Sequence, residues 1–213
     1  MLTGCFEFEQ HFEFEADGNA AATGKIVMDA AVVAMTERDG KPFCDEEVVA
    51  TGEVEKTVTK STVEADLVCT IEMTGEMQQV IQAVAEAATT TAEDPPTAML
   101  SDDNGRFTLT IHLPSLKEDE PPSEQDEEMA EMMQQMFLAR LSGRVLRFSV
   151  TAPEIIETNG TISDDGTVAT LTRPMADAFT SDEPTIFRTV FELGDSGALE
   201  RVRGLFRSDE EVE

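Results

Sequence analysis

Residues 1–18 read MLTGCFEFEQHFEFEADG, and the alternation inside this stretch decides the fold. Phe6, Phe8, Phe12 and Phe14 interleave with Glu7, Glu9, Glu13 and Glu15. Successive side chains of an extended chain point to opposite faces, so the spacing predicts a strand with phenylalanines on one side and glutamates on the other. The phenylalanine face is expected in the core rather than in a membrane. Apolar stripes elsewhere in the chain need a partner, and four glutamates beside an anionic leaflet would be repelled. Asp17-Gly18 supplies turn chemistry, and residues 20–29 form the returning strand.

Outward from this hairpin the periodicity changes. Asp29 is a candidate N-cap for a short helix over Ala30 to Met35, ending near Asp39-Gly40. Val54 to Lys60 opens a second hairpin. Its other arm carries Val63, Ala65, Leu67, Cys69, Ile71 and Met73 on one parity, a half-buried strand. Met77, Val80, Ile81, Val84, Ala85 and Ala88 fall at helical spacing, and Pro95-Pro96 lies beyond that helix. Phe107, Leu109, Ile111 and Leu113 alternate again after the Asp103-Asn104-Gly105 turn.

An acidic, proline-bearing stretch, about residues 114–126, predicts a mobile loop. Ser123-x-x-Asp126 resembles a capping box for the helix after it. That helix carries Met129, Met132, Met133, Met136, Phe137 and Leu141, and Ser142-Gly143 closes it. Strands return with Leu146, Phe148 and Val150, with 167–172 and with 185–193. Pro153, Asn159-Gly160 and Asp164-Asp165-Gly166 mark the breaks. Strands outnumber helices and hairpin turns recur. The expected class is α+β, a mainly antiparallel β-sheet with two to three packed amphipathic helices. Residues 6–193 form one domain and residues 194–213 a flexible tail, in which Arg201, Arg203 and Arg207 precede acidic residues.

The 213 residues suffice for one full core or two small ones. A net charge of -29 repels phosphate backbones and argues against nucleic acid as a partner. The acidity fits a self-repelling surface suited to salty surroundings, with a surface for cations or basic partners as the other reading. No run of 18 apolar residues exists, so no spanning helix is expected.

Leu2-Thr3-Gly4-Cys5 resembles the lipobox of bacterial lipoproteins, so residues 1–5 read as the remnant of a lipoprotein signal. Two longer segments, GCFEFEQHFEFEADGNAAATGKIVMD and RFSVTAPEIIETNGTISDDGTVATLT, resemble the LppM-like group of bacterial lipoproteins. The resemblance implies an envelope domain tethered by lipid at Cys5, palmitate included, that contacts lipids or glycolipids. Phe6 after the cysteine, rather than aspartate, implies the outer membrane where the host has two.

With Cys5 assigned to the anchor, Cys44 and Cys69 remain as a pair. Outside the cytosol a bridge between them is expected, with a buried thiol at Cys69 as the alternative. There is no CxxC and the two histidines lie far apart, so no metal site and no cofactor is expected. His11 and His112 oppose the apolar parity of their strands and read as solvent-facing polar positions. GNAAATGK, residues 18–25, has five residues between its glycines and isoleucine after the lysine, so it is no phosphate loop. Gly194-Asp195-Ser196-Gly197 lacks a histidine in a protease-like context. No catalytic residue is assigned. The methionines Met129, Met132, Met133 and Met136 form either a stripe packed on the sheet or an adaptable surface for a ligand or partner.

The expected function is therefore a lipid-anchored, noncatalytic envelope domain binding lipid, glycolipid or another envelope protein. The rivals are a hydrolase or isomerase whose dispersed carboxylates and histidines meet in the fold, and a structural, secreted acidic domain. An apolar pocket without convergent titratable groups favours the first. A histidine–carboxylate pair in a cleft favours the second.

Overall fold

The computed structural model describes residues 6–30, 33–34, 44, 48–51, 54–63, 66–88, 95–117 and 127–194. The order of elements is β1 (Phe6–Phe14), β2 (Asn19–Asp29), β3 (Val48–Thr51), β4 (Val54–Val63), β5 (Asp66–Glu76), α1 (Met77–Ala88), β6 (Thr97–Asp103), β7 (Arg106–Leu113), α2 (Glu127–Arg140), β8 (Val145–Thr151), β9 (Glu154–Thr158), β10 (Thr161–Ile162), β11 (Val168–Pro174), α3 (Met175–Thr180) and β12 (Thr185–Glu192). The class is α+β, as the alternating strands and amphipathic stripes indicate.

Two sheets share the core. The larger has eight strands in the order β10-β11-β8-β1-β2-β5-β4-β3, and the smaller has four in the order β6-β7-β12-β9. Every pairing is antiparallel except β1 with β8, which run parallel. Strand β1 is thus central, with β2 on one side and β8 on the other, and both of its backbone edges are paired. A strand so placed needs one largely apolar face, which the phenylalanines supply. Phe12 and Phe14 are buried, and Phe8 packs against the same cluster.

Phenylalanine rings join the layers. Phe14 stacks on Phe191 of β12 with centroids 4.5 Å apart, and Phe191 in turn meets Phe107 of β7 at 5.7 Å. Phe148 of β8 lies 6.2 Å from Phe187 of β12. Such pairs contribute about 0.5–1.5 kcal/mol each beyond the area they bury. The β1–β2 turn also seats α1. Gly18, at φ 91°, offers its carbonyl to the amide of Met77, 3.1 Å away. Met77, Val80 and Ile81 then face the core.

The opposite face of the large sheet is polar and cross-linked strand to strand. Glu9 accepts from Lys25 of β2 at 3.2 Å and from Arg147 of β8 at 2.7 Å. At one end Arg144 donates to Glu7 of β1 and to Asp66 of β5, at 3.2 and 2.6 Å. These hydrogen bonds hold the guanidinium's pKa above its ordinary value, Asp66 contributing most.

Several expectations change in detail. Ala30, Val33 and Ala34 are helical, and the rest of the short helix expected after Asp29 lies outside the described residues. So do Cys5, the Ser123–Asp126 capping box, the acidic stretch 118–126 and residues 195–213 of the expected tail. His11 is half-buried rather than fully solvent-facing, because its strand is flanked by β2 and β8 and its ring meets Ser149 of β8. His112 is likewise half-buried. Among the described residues no helix is long and apolar enough to cross a membrane.

Candidate ligand-binding cavity

Strand β2 turns small residues toward the core where β1 turns large ones. Ala20, Ala22 and Gly24 pair with Phe14, Phe12 and Gln10. The rings of Phe12 and Phe14 fill the space over the alanines. Over the Gln10–Gly24 pair nothing of that size is available, and a cavity of about 390 Å³ opens there. Its floor is the large sheet, with Phe8, Gln10, Gly24, Ile26, Ile71 and Phe148. Its roof is α1 and the small sheet, where Val84, Ala85, Ala98 and Ile111 are mostly small. Exposed Ala87 and Thr97 mark where it meets solvent. The volume falls in the range of about 300–1,000 Å³ usual for small-molecule sites.

Among the described residues no Asp, Glu, His, Lys, Arg or Cys lines this space, and Gln10 and Thr97 are the polar side chains that do. At Gly24 it is room rather than backbone conformation that bears on a larger residue, and the one near neighbour is the movable end of Gln10. A Cβ at that position would lie 3.3 Å from Oε1 of Gln10. The Gln10 amide donates one long hydrogen bond, 3.4 Å, to the carbonyl of Thr23. Gln10 stands on the phenylalanine parity of β1, and this polar interruption is the signal that could have marked it in the sequence.

The Cys44–Cys69 bridge forms, with Cα atoms 5.8 Å apart. Cys69 lies on the core face of β5, and Ile26 and Ile71 pack against the bridge and line the cavity as well. The disulfide thus buttresses one wall. Met132 and Met136 of α2 are not among the cavity walls. Met132 and Met136 are 58% and 54% exposed, and Phe137 meets Phe179 of α3 edge-on at 5.1 Å. The side chains of Met129 and Met133 lie outside the described residues. Of the described stripe, Met132, Met136 and Phe137 are exposed, whereas Leu141 just beyond the helix is buried in the core.

On the polar face, Nδ1 of His11 and Oγ of Ser149 are 2.8 Å apart, although 138 positions separate them. Burial pushes His11 below its ordinary pKa of 6.5, with Glu13 pulling the other way. The pair stands on the sheet surface and not among the cavity walls. Among the described residues no cluster of three His, Cys, Asp or Glu could hold a metal ion.

These features define an α+β domain of two sheets with an apolar cavity between the larger sheet, its helix and the smaller sheet. The folded domain of the Mycobacterium tuberculosis protein LppM, solved by NMR, shares this fold, with a TM-score of 0.57 over 92% of this chain and 94% of that one. The two are 10% identical, so the likeness is one of architecture. No family model matches the chain, and no curated protein matches it.

Proposed function

We propose that this is a noncatalytic binding domain of the bacterial cell envelope that holds a lipid-like molecule between its sheets. The observation that carries the reading is the cavity of about 390 Å³ whose walls, among the described residues, contain no titratable side chain. Catalysis by acid, base or nucleophile needs at least one such group in reach of a substrate, whereas burial of an apolar molecule needs only space and apolar walls. The shared fold with the LppM domain and the lipobox-like LTGC support the envelope address and a lipid anchor at Cys5. The exposed methionines Met132 and Met136 then offer a surface for a second envelope protein.

Titrating the full, unacylated chain with a fluorescent acyl probe tests the binding. We expect saturable one-to-one binding, lost when Gly24→Leu fills the cavity and kept when the exposed Met132 is changed to Gln. Equal binding by wild type and Gly24→Leu refutes the site. For the anchor, mass spectrometry of protein from native membranes should find a peptide beginning at Cys5 with diacyl or triacyl mass. An unmodified peptide running through Met1 refutes it.

A further inference from the structure

We infer that the cavity takes an electrically neutral ligand carrying one uncharged hydrogen-bonding group, such as an ester, amide or hydroxyl, held against the side-chain amide of Gln10. The inference rests on the cavity being a ligand site and names the chemical class that it admits. Two observations carry it.

The first is charge. A carboxylate, phosphate or ammonium drawn into this space would find no ion of opposite sign among the described residues of its walls. A buried ion without a partner costs several kcal/mol after relaxation. Cations do stand nearby on the core face, but they do not line the cavity. Arg173, which pairs with Leu146 at the far side of β8, is engaged by Oγ1 of Thr185 at 2.7 Å and the carbonyl of Asp177. Lys56 lies beyond Met73 on β4. The whole-chain charge of -29 adds a field that opposes entry of any anion. A fatty-acid anion or an anionic headgroup is thus disfavoured both by the walls and by the field.

The second is Gln10. A primary amide has two donor hydrogens and two acceptor lone pairs. Gln10 uses one donor, in a bond of 3.4 Å to Thr23, and its Oε1 projects over Gly24, where there is no side chain. Its neighbours across the sheet are Gly24 and Phe148, which leave the remaining valences facing apolar walls and open space. A plain hydrocarbon would strip water from the amide and return nothing. A ligand with one neutral polar group would replace that water with a direct bond. Donor and acceptor are both offered, so the class includes hydroxyls as well as carbonyls.

The test compares three competitors with the same eighteen-carbon chain for displacement of a fluorescent acylglycerol from the full protein at pH 8. They are monooleoylglycerol, oleate and octadecene. We expect monooleoylglycerol to compete about tenfold more strongly than either of the others, the ratio that about one hydrogen bond supplies. Gln10→Leu should abolish its advantage over octadecene while octadecene binding persists, which also reports an intact cavity. Gln10→Met provides the same comparison if the leucine variant does not fold. Oleate competing as well as monooleoylglycerol, or an advantage that survives removal of Gln10, overturns the inference and leaves the cavity as a ligand site. No displacement by any of the three, with no binding of the probe, overturns both.

Discussion

Phe14 ties the two sheets to one another, since its ring touches both its own strand neighbour Phe12 and Phe191 of the facing layer. It is 2% exposed, and Phe12 is fully buried. Truncating either to alanine removes a ring from a packed core, and a loss of about 3–5 kcal/mol is expected from urea unfolding. Unchanged unfolding would mean that the face is not core. His11 makes a second residue-scale prediction, and its sign follows from desolvation. The folded protein holds the ring's pKa below the unfolded value near 6.5, so the unfolded state binds more protons between the two. The contribution is present above pH 6.5 and is lost as pH falls through the folded pKa. His11→Gln should therefore flatten the stability profile between pH 7.5 and the acid side of 6.5. A profile parallel to wild type would refute it. Gln10 and His11 also show what a pattern conveys about single residues. Parity placed each on its face, but neither the space over Gly24 nor the distant Ser149 leaves a local mark.

Elements differed in how openly they announced themselves. Strands with one face in the core, such as β5, β7 and β8, were legible because burial on one side enforces a period of two. Edge strand β3 is only four residues long and has too few positions to show a period. Strand β6, TAMLSDD, carries exposed Met99 and has no fully buried residue, so its alternation is muted. Helix α3 spans six residues, less than two turns, and its signal is short beside the strand before it. The described part of the α2 stripe looked apolar yet is largely open, since periodicity reports which residues share a face and not what covers that face. The disulfide is an element-scale device, because it fastens residue 44 to the middle of β5 across 25 positions. A loop of that size predicts about 3 kcal/mol of stabilisation from the restricted unfolded chain. Non-reducing digestion should yield one Cys44–Cys69 peptide, and the paired change to serine should lower stability by about that amount. Separate peptides with free thiols, or an unaltered denaturation midpoint, would refute it.

At the scale of the whole molecule, the sheet-and-helix class was readable, but the division into two sheets was not. Both sheets are built from the same period-two strands, and only the long-range pairing of β12 with β7 and β9 separates the second from the first. The cavity is a property of that packing, which is why no stretch of the sequence describes it. Charge is the one whole-molecule quantity that composition states directly, and it leads to the last prediction. A net charge of -29 makes the folded state repel itself more than the expanded chain does, and salt screens that repulsion. The screening length falls from about 10 Å at 0.1 M to about 3 Å at 1 M. Thermal stability should therefore rise steadily across that range of sodium chloride. Glu13, Glu55 and Glu72 are exposed on the polar face of the large sheet, and changing all three to glutamine removes part of the repulsion without touching the core. The triple variant should be the more stable protein at 0.05 M salt, and its curve should converge with the wild-type curve by 1 M. General salting-out would raise both curves equally and leave their separation constant, so a constant gap sinks the repulsion account. Saturation of the wild-type rise at millimolar divalent cation would do the same, and would point to the acidic surface as a site for cations instead.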